Sequence, residues 1–220
     1  MSNRHAFALF RLEFLWVEFC VSANLITRKL FGVQMESLDE SLSKLSAMRR
    51  VMVMKRYLQK DKVPSKIEEC LFLGSLEAAR NKSELKELKI THILTVAHCL
   101  VPIYPDEFVY KIISVADKED TDIKQFFDEC FNFIDEAKRT GGSVLVHCVV
   151  GKSRSATIVV AYLMRQHGMS LSEALKLVRS KRPIVAPNSG FLSQLKEFEK
   201  SPICKHFFPS NFGFSSYKPM

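Results

Sequence analysis

A cysteine and an arginine in this sequence have the spacing of a nucleophile and an anion-binding group. Cys148 and Arg154 lie six positions apart in the segment SVLVHCVVGKSRS. Its apolar start predicts a buried strand that ends at His147, then a loop over residues 148–153 and a helix that begins near Arg154. Backbone N–H groups and the positive end of the helix dipole then converge on one point, where a phosphate can bind.

This phosphate loop, residues 148–153, predicts a specific chemistry. Gly151 allows a sharp turn close to the ligand, and Arg154 offers two parallel hydrogen bonds to phosphate oxygens. The same positive field favours the thiolate of Cys148, the form that can attack phosphorus. The expected reaction is hydrolysis of a phosphate monoester through a cysteinyl-phosphate that water later removes. The residues predicted to bind the phosphate are Val149, Val150, Gly151, Lys152, Ser153 and Arg154.

Two other motifs in the chain resemble functional sites but fail on single residues. A nucleotide-binding loop of the form GxxxxGKS would need glycine at position 146, where the sequence has Val146. The dipeptide His98-Cys99 imitates His147-Cys148, but the position six residues after Cys99 is Pro105. We therefore predict a structural role for Cys99.

The elements that must position the phosphate loop alternate between strands and helices, which predicts an α/β fold with one mainly parallel central sheet flanked by helices. The predicted strands are Cys70–Leu73, Ile90–Val96, Phe108–Ile113 and Ser143–Val146. The predicted helices are Leu76–Arg80, one begun by Ser83, Ile123–Arg139, Ser155–His167, one capped by Ser170 or Ser172, and a last one capped by Asn188 or Ser189.

The bulk properties favour an intracellular protein with an anionic partner. The chain has 220 residues, a formal net charge of +8 and six cysteines without metal-ligand spacing. This cysteine pattern argues against disulfides and a metal site and favours the cytoplasm or nucleus. The apolar residues 6–21 are too short and too charged for a membrane span and lack the features of a secretory signal. The positive charge alone does not choose among nucleic acid, anionic lipid and phosphorylated protein. Because of the phosphate loop, we predict a phosphorylated protein as the partner, and no nucleic acid.

The composition divides the chain into three parts. Residues 1–63 form an N-terminal extension with an apolar start and a basic segment at 41–62, residues 64–200 form the catalytic domain, and residues 201–220 form a loosely ordered tail. In the basic segment, Leu42, Leu45, Met48 and Met52 fall on one helical arc. Residues 42–58 therefore suit docking to calmodulin or to a kinase, and the alternative is a helix packed on the catalytic domain.

At the level of families, the sequence resembles the dual-specificity branch of the protein tyrosine phosphatases, whose signature is HCxxGxxRS. The resemblance covers about residues 66 to 200 and is closest to small plant mitogen-activated-protein-kinase phosphatases. It implies a single cysteine-phosphatase domain without cofactor or metal. The segments that carry it are YKIISVAD (110–117), FIDEA (133–137), VLVHC (144–148), AYLM (161–164) and PNSGF (187–191).

The resemblance also implies roles for residues outside the phosphate loop. It places the general acid at Asp117, with Asp120 and Asp122 as less favoured neighbours. It implies that Ser155 supports departure of the thiolate and that Asn188 braces the phosphate loop, although these two can also be an ordinary helix hydroxyl and an ordinary N-cap. His147 is expected to orient Cys148.

The expected function is a protein phosphatase that acts on phosphotyrosine and on phosphoserine or phosphothreonine, with MAP kinases as the expected substrates. One alternative is a phosphoinositide phosphatase. Lys152 in the loop favours it, but lipid enzymes of this superfamily tend to place lysine directly after the nucleophile, where this chain has Val149. The other alternative, a phospho-binding pseudophosphatase, is disfavoured because the nucleophile, the arginine and an acid are all present.

Overall fold

The computed structural model describes residues 42–49, 51–52 and 61–201. The chain divides into two units, Met1–Tyr57 and Leu58–Met220. Three features predicted from the sequence lie wholly or partly outside the described residues: the apolar stretch 6–21, residues 41, 50 and 53–60 of the basic segment 41–62, and the tail after Ser201.

The second unit contains a five-stranded sheet in the order β1-β2-β5-β3-β4. The strands are β1 (Ser65–Glu68), β2 (Leu71–Gly74), β3 (Ile90–Val96), β4 (Val109–Ile113) and β5 (Ser143–His147). Edge strand β1 runs antiparallel to β2, and all other pairs are parallel. Strand β5 is central, and its last residue, His147, pairs with Gly74 on one side and Thr95 on the other. The carboxyl ends of three strands therefore meet where the phosphate loop begins.

Six α-helices in the described part of the second unit flank this sheet. They are α1 (Leu76–Arg80), α2 (Lys82–Glu87), α3 (Phe127–Arg139), α4 (Arg154–His167), α5 (Leu171–Lys181) and α6 (Ser189–Lys200). A short 3-10 helix, Lys124–Phe126, precedes α3. A capping box at Ser170 begins α5, and Gly168 in the left-handed conformation ends α4.

The main core holds the strand and the helix that flank the phosphate loop. Every residue of β5 is buried, and so are the residues of α4 from Ser155 to Met164. Helix α3 packs beside α4, where the rings of Phe131 and Tyr162 lie 5.9 Å apart. Because the elements on both sides of the loop are fixed by this core, the loop ends are held in place.

The fold class predicted from the sequence is confirmed, and the helix caps at Ser170 and Asn188 are as expected. Two helix starts were wrong. Helix α2 begins at Lys82 after Asn81. Ser83 lies inside the helix, and its hydroxyl donates a hydrogen bond to Asn81 Oδ1. The helix expected from Ile123 begins as a 3-10 turn and becomes α-helical only at Phe127.

Strand β1 was not predicted from the sequence. It is four residues long, and its register with β2 is irregular between Lys66 and Glu68. Ile67 is the one buried residue of this edge strand, and the other three are polar, so the strand lacks the apolar run that predicts a buried one. The segment Val63-Pro64-Ser65, predicted as a boundary, leads directly into it.

Residues 42–49 and 51–52 of the first unit are helical. Leu45, Met48 and Met52 are exposed there, with exposed fractions of 62%, 60% and 59%. No helix among the described residues is both long enough and apolar enough to cross a membrane.

Candidate active site

The phosphate loop is held by hydrogen bonds to its outward-facing carbonyl groups. Leu76 N–H donates to the carbonyl of Val149 at 3.1 Å, and Ala186 N–H donates to that of Lys152 at 2.9 Å. The Arg182 side chain donates to the carbonyls of Val150 and Gly151, each at 2.9 Å. Four successive carbonyl groups are thus bound on the outer side of the loop.

This pattern decides the direction of the loop N–H groups. In a planar trans peptide, the carbonyl and the following N–H point in opposite directions. The N–H groups of residues 150–153 are therefore turned to the inner side, and Gly151 N–H reaches Cys148 Sγ at 3.2 Å. Gly151 has a φ of +72°, and a Cβ there would lie 2.4 Å from the Gly74 carbonyl oxygen. Only glycine fits this position without a shift of the backbone.

Cys148 lies at the bottom of this cradle with 1% of its surface exposed. Its sulfur accepts hydrogen bonds from Gly151 N–H and from the Ser155 hydroxyl, both at 3.2 Å. Ser155 is fully buried in the first turn of α4, so its hydroxyl is fixed toward the sulfur. Two donors on one sulfur suit a thiolate, which is the better hydrogen-bond acceptor.

His147 is a neutral residue that holds the backbone of Cys148. Its Nδ1 lies 3.1 Å from the Cys148 carbonyl, which can only accept, so Nδ1 carries the hydrogen. Its Nε2 accepts from the Thr95 hydroxyl at 2.8 Å. Burial lowers the pKa of His147 to about 4, against a smaller opposing effect of the bond to Cys148. Because both ring nitrogens are occupied, His147 is not available as a base for a substrate.

Arg154 has an unused donor beside the cradle. Its Nη1 donates to the carbonyl of Val115 at 3.3 Å. Its Nε is buried and has no hydrogen-bond partner within the described chain, although it lies 3.5 Å from Asp117 Oδ2. That distance permits attraction, but the two groups are not aligned for a hydrogen bond. A buried charged donor of this kind can be satisfied by an oxyanion in the cradle.

Asp117 is held against the loop by two donors to a single carboxylate oxygen. Its Oδ1 accepts from the Ser153 hydroxyl at 2.6 Å and from Asn188 Nδ2 at 2.9 Å. Backbone amides fix both donors, since Asn188 Oδ1 accepts from Phe191 N–H and Ser153 Oγ accepts from Asn188 N–H. Oδ2 is left facing Arg154.

The backbone around Asp117 is packed closely against the start of α6. A Cβ at Gly190 would lie 1.8 Å from the carbonyl oxygen of Glu119, so glycine is required for this contact. Gln194, one turn further along α6, binds the Thr121 carbonyl and the N–H groups of Ile123 and Lys124. The segment 117–124, called the acid loop below, is thereby fixed to α6 at several points.

The other two acid-loop aspartates are placed differently. Asp122 Oδ1 accepts from Gln125 N–H at 3.2 Å and so caps the 3-10 turn. Asp120 is exposed. In the described chain, only Asp117 of these three carboxylates contacts the phosphate loop and Arg154.

Two other cysteines of the described chain, Cys130 and Cys99, lack such surroundings. Cys130 is buried in α3, and burial raises its pKa to about 12, so its thiol is inert at neutral pH. Cys99 is exposed, and the side chain of the adjacent His98 binds the Ser114 hydroxyl at 2.9 Å, so the two residues form no unit like His147 and Cys148.

Residues 71–201 match the family described as "Dual specificity phosphatase, catalytic domain". The chain belongs to this family. It is 59% identical over 159 residues to "Dual specificity protein phosphatase 1" of Arabidopsis thaliana, an alignment that covers 72% of this chain and 80% of that protein. It is 48% identical over 138 residues to "MAP kinase phosphatase with leucine-rich repeats protein 1" of Dictyostelium discoideum, covering 63% of this chain and 16% of that protein.

Solved structures of the family have the same fold. The crystal structure of DUSP15 superposes with a TM-score of 0.63 and 38% identity, over 66% of this chain and 92% of that one. The chain is therefore a dual specificity protein phosphatase, as its sequence predicted.

Two contacts of this phosphatase were missed by sequence reasoning. Ser153 was predicted as a phosphate-binding residue of the loop, but its hydroxyl points to Asp117. Arg182 was not predicted at all, although its side chain binds two loop carbonyls. Asn188 was expected to brace the loop or to cap a helix. It caps α6 and contacts Asp117 and Ser153.

Proposed function

We propose that this phosphatase hydrolyses phosphorylated side chains in proteins through a covalent phosphate on Cys148. The observation that carries the proposal is the placement of Cys148 Sγ, 3.2 Å from Gly151 N–H, in a loop whose N–H groups turn inward and which is followed directly by Arg154. In the first step the thiolate attacks phosphorus, the S–P bond forms and the bond from phosphorus to the leaving oxygen breaks. The loop N–H groups and Arg154 bind the three remaining phosphate oxygens.

Asp117 is the proposed general acid, and its hydrogen bonds support placing the proton on one of its two carboxyl oxygens. Oδ1 already accepts two hydrogen bonds, from Ser153 and Asn188. The acidic proton is therefore assigned to Oδ2, the oxygen that faces Arg154. From there it passes to the leaving tyrosyl, seryl or threonyl oxygen, which departs poorly without it.

In the second step a water molecule attacks the cysteinyl-phosphate. Asp117 Oδ2, now unprotonated, accepts a proton from this water, and the S–P bond breaks to release inorganic phosphate and the thiolate. The Ser155 hydroxyl, 3.2 Å from the sulfur, donates to the departing thiolate and stabilises it. The enzyme returns to its starting state after one cycle.

MAP kinases are the proposed substrates, and the cytoplasm or nucleus is the proposed location of this phosphatase. The support is the name of the Dictyostelium relative, a MAP kinase phosphatase, and the resemblance of the motifs to small plant kinase phosphatases. For the compartment, the support is that the described cysteines are all free thiols. Val149, directly after the nucleophile, supports protein over phosphoinositide substrates.

A substrate comparison tests this function. Phosphate release is measured from a doubly phosphorylated Thr-x-Tyr activation-loop peptide and from phosphoinositides at equal concentration, with and without a chelator. We expect the peptide to be preferred, the chelator to have no effect, and Cys148→Ser to bind the peptide without turnover. If phosphoinositides are preferred, the substrate is a lipid and the proposed protein substrate is wrong. Full activity of Cys148→Ser would overturn the mechanism.

Residues 42–58 are a proposed docking segment for calmodulin or an acidic kinase groove. Its support is the exposed apolar arc of Leu45, Met48 and Met52 on a helical stretch of basic sequence. A synthetic peptide of residues 41–62 is titrated with calmodulin, with and without calcium, and with a kinase docking groove. Absence of binding to both at micromolar concentration would leave only a packing role for the segment.

A further inference from the structure

We propose that Arg182, held in place by Asp61, is a positioning residue that keeps the phosphate loop in its anion-binding conformation. The inference rests on the proposed function and concerns residues that lie outside the catalytic motif. Arg182 follows α5, and Asp61 precedes the first strand, 121 positions away in the chain.

All five N–H donors of the Arg182 guanidinium are used in the structure. Nε donates to the Gly151 carbonyl, and Nη2 donates to the Val150 carbonyl. Nη1 and Nη2 also bind the two carboxylate oxygens of Asp61, and Nη1 lies 3.4 Å from Ser65 Oγ. The side chains are 4% and 11% exposed, so water does not replace these partners. A planar fork with five donors is specific to arginine.

The two carbonyl groups that Arg182 binds control the inner face of the loop. The Val150 carbonyl belongs to the same peptide as Gly151 N–H, and the Gly151 carbonyl belongs to the same peptide as Lys152 N–H. Because each peptide is planar and trans, a carbonyl held outward keeps its N–H inward. Without the guanidinium, both carbonyls lose their outward partners, and the bond from Gly151 N–H to Cys148 Sγ is the contact that still restrains one of the two peptides. A rotated peptide presents an oxygen to the phosphate and repels it.

Asp61 fixes the guanidinium from the other side. Its own backbone carbonyl accepts from the Ser75 hydroxyl at 3.0 Å, and the carbonyl of the next residue, Lys62, accepts from Asn81 Nδ2 at 3.0 Å. Ser75 caps α1, and Leu76, the first residue of that helix, binds the Val149 carbonyl. The residues just before β1 therefore belong to the support of the phosphate loop.

A positioning role and a purely electrostatic role predict opposite results for Asp61→Asn. The substitution removes a negative charge near the loop, so electrostatics alone would strengthen oxyanion binding. It also replaces one acceptor oxygen by an N–H₂ group that faces an Arg182 donor, so the guanidinium loses its alignment. If positioning dominates, oxyanion binding weakens.

The test measures tungstate affinity by calorimetry and the rates at which iodoacetate and iodoacetamide alkylate Cys148. The anionic reagent depends on the inward N–H groups, whereas the neutral reagent does not. We expect Asp61→Asn and Arg182→Lys to weaken tungstate binding roughly tenfold, as for a lost hydrogen bond to a charged group. The iodoacetate-to-iodoacetamide rate ratio should fall in parallel, and Asp61→Glu should restore part of both.

The control is a second Arg–Asp pair in the same unit. Arg165 Nη2 lies 3.0 Å from Asp135 Oδ2, between α4 and α3, and neither residue binds the phosphate loop. Asp135→Asn should lower the melting temperature without changing tungstate affinity or the alkylation ratio. If the Arg182 variant does not fold, the two Asp61 variants carry the test.

Two results would overturn the inference: tighter tungstate binding by Asp61→Asn, or a lower melting temperature of that variant with both loop measurements unchanged. Failure of the proposed function appears separately, as a wild-type protein that binds tungstate but releases no phosphate from any phosphopeptide.

Discussion

The assignment of the proton to Asp117 Oδ2 yields a graded prediction for three substitutions. Asp117→Asn has nearly the same shape, and its Oδ1 can still accept from Ser153 and Asn188, so the acid loop should stay in place. The variant loses only the transferable proton. A positioned general acid contributes roughly 10²–10⁴-fold, and we expect kcat on a phosphotyrosine peptide to fall within this range.

Ser153→Ala should have a smaller effect of the same kind. It removes one of the two hydrogen bonds to Oδ1 and leaves the bond from Asn188. A single hydrogen bond contributes about 0.5–1.5 kcal/mol net, which corresponds to a decrease of roughly 2- to 10-fold in kcat. Asp122→Asn is the matched control, because Asp122 lies in the same acid loop but caps the 3-10 turn.

The assay is steady-state kinetics on the peptide and on a series of aryl phosphates with increasingly acidic leaving groups. The losses for Asp117→Asn and Ser153→Ala should shrink together as the leaving group needs less protonation. A loss for Asp117→Asn that does not depend on the leaving group would refute the acid role. The acid role of Asp117 would also be refuted if the rate loss depends on the leaving group for Asp122→Asn but not for Asp117→Asn.

Three further predictions concern residues around the site. Ser155→Ala removes a donor to the leaving thiolate, so hydrolysis of the cysteinyl-phosphate should slow by roughly 10-fold or more and a burst of the first product should appear in rapid-quench experiments. Gly190→Ala places a Cβ against the Glu119 carbonyl, so kcat on phosphotyrosine peptides should fall while alkylation of Cys148 is unchanged. Burial lowers the pKa of His147 to about 4 from 6.5, so the unfolded chain binds more protons between these pH values. The free energy of unfolding should therefore decrease as pH falls from about 6.5 to 4, by up to about 3 kcal/mol, and urea titrations should show a smaller decrease for His147→Asn.

The sequence predicted those parts of the site that depend on local spacing. Cys148, Gly151, Arg154 and Ser155 lie in one continuous segment, so a strand, a turn and a helix are enough to bring them together. Asp117 could be predicted only through family resemblance, because nothing in the sequence of its own segment distinguishes it from Asp120 or Asp122. The difference arises from the packing of the acid loop on α6.

The supporting contacts could not be predicted, for a physical reason. The pair of Arg182 with Asp61 joins residues 121 positions apart, and neither belongs to a periodic pattern or a turn motif. The role of Ser153 depends on the direction of its hydroxyl, which is fixed by the Asn188 amide from another element. Strand β1 was missed because a short polar edge strand has no apolar run. Each of these features is a property of the tertiary arrangement.

The outward-bound carbonyl groups of the phosphate loop have a consequence for hydrogen exchange. Because these carbonyls already have donors, the backbone N–H groups of Lys152 and Ser153 face the cradle, and the described residues provide no acceptor for them. In the free enzyme these two amides should exchange with solvent rapidly, although buried strand β5 and helix α4 flank the loop. An oxyanion in the cradle would supply the missing acceptors, so protection of these amides would report occupancy of the site directly.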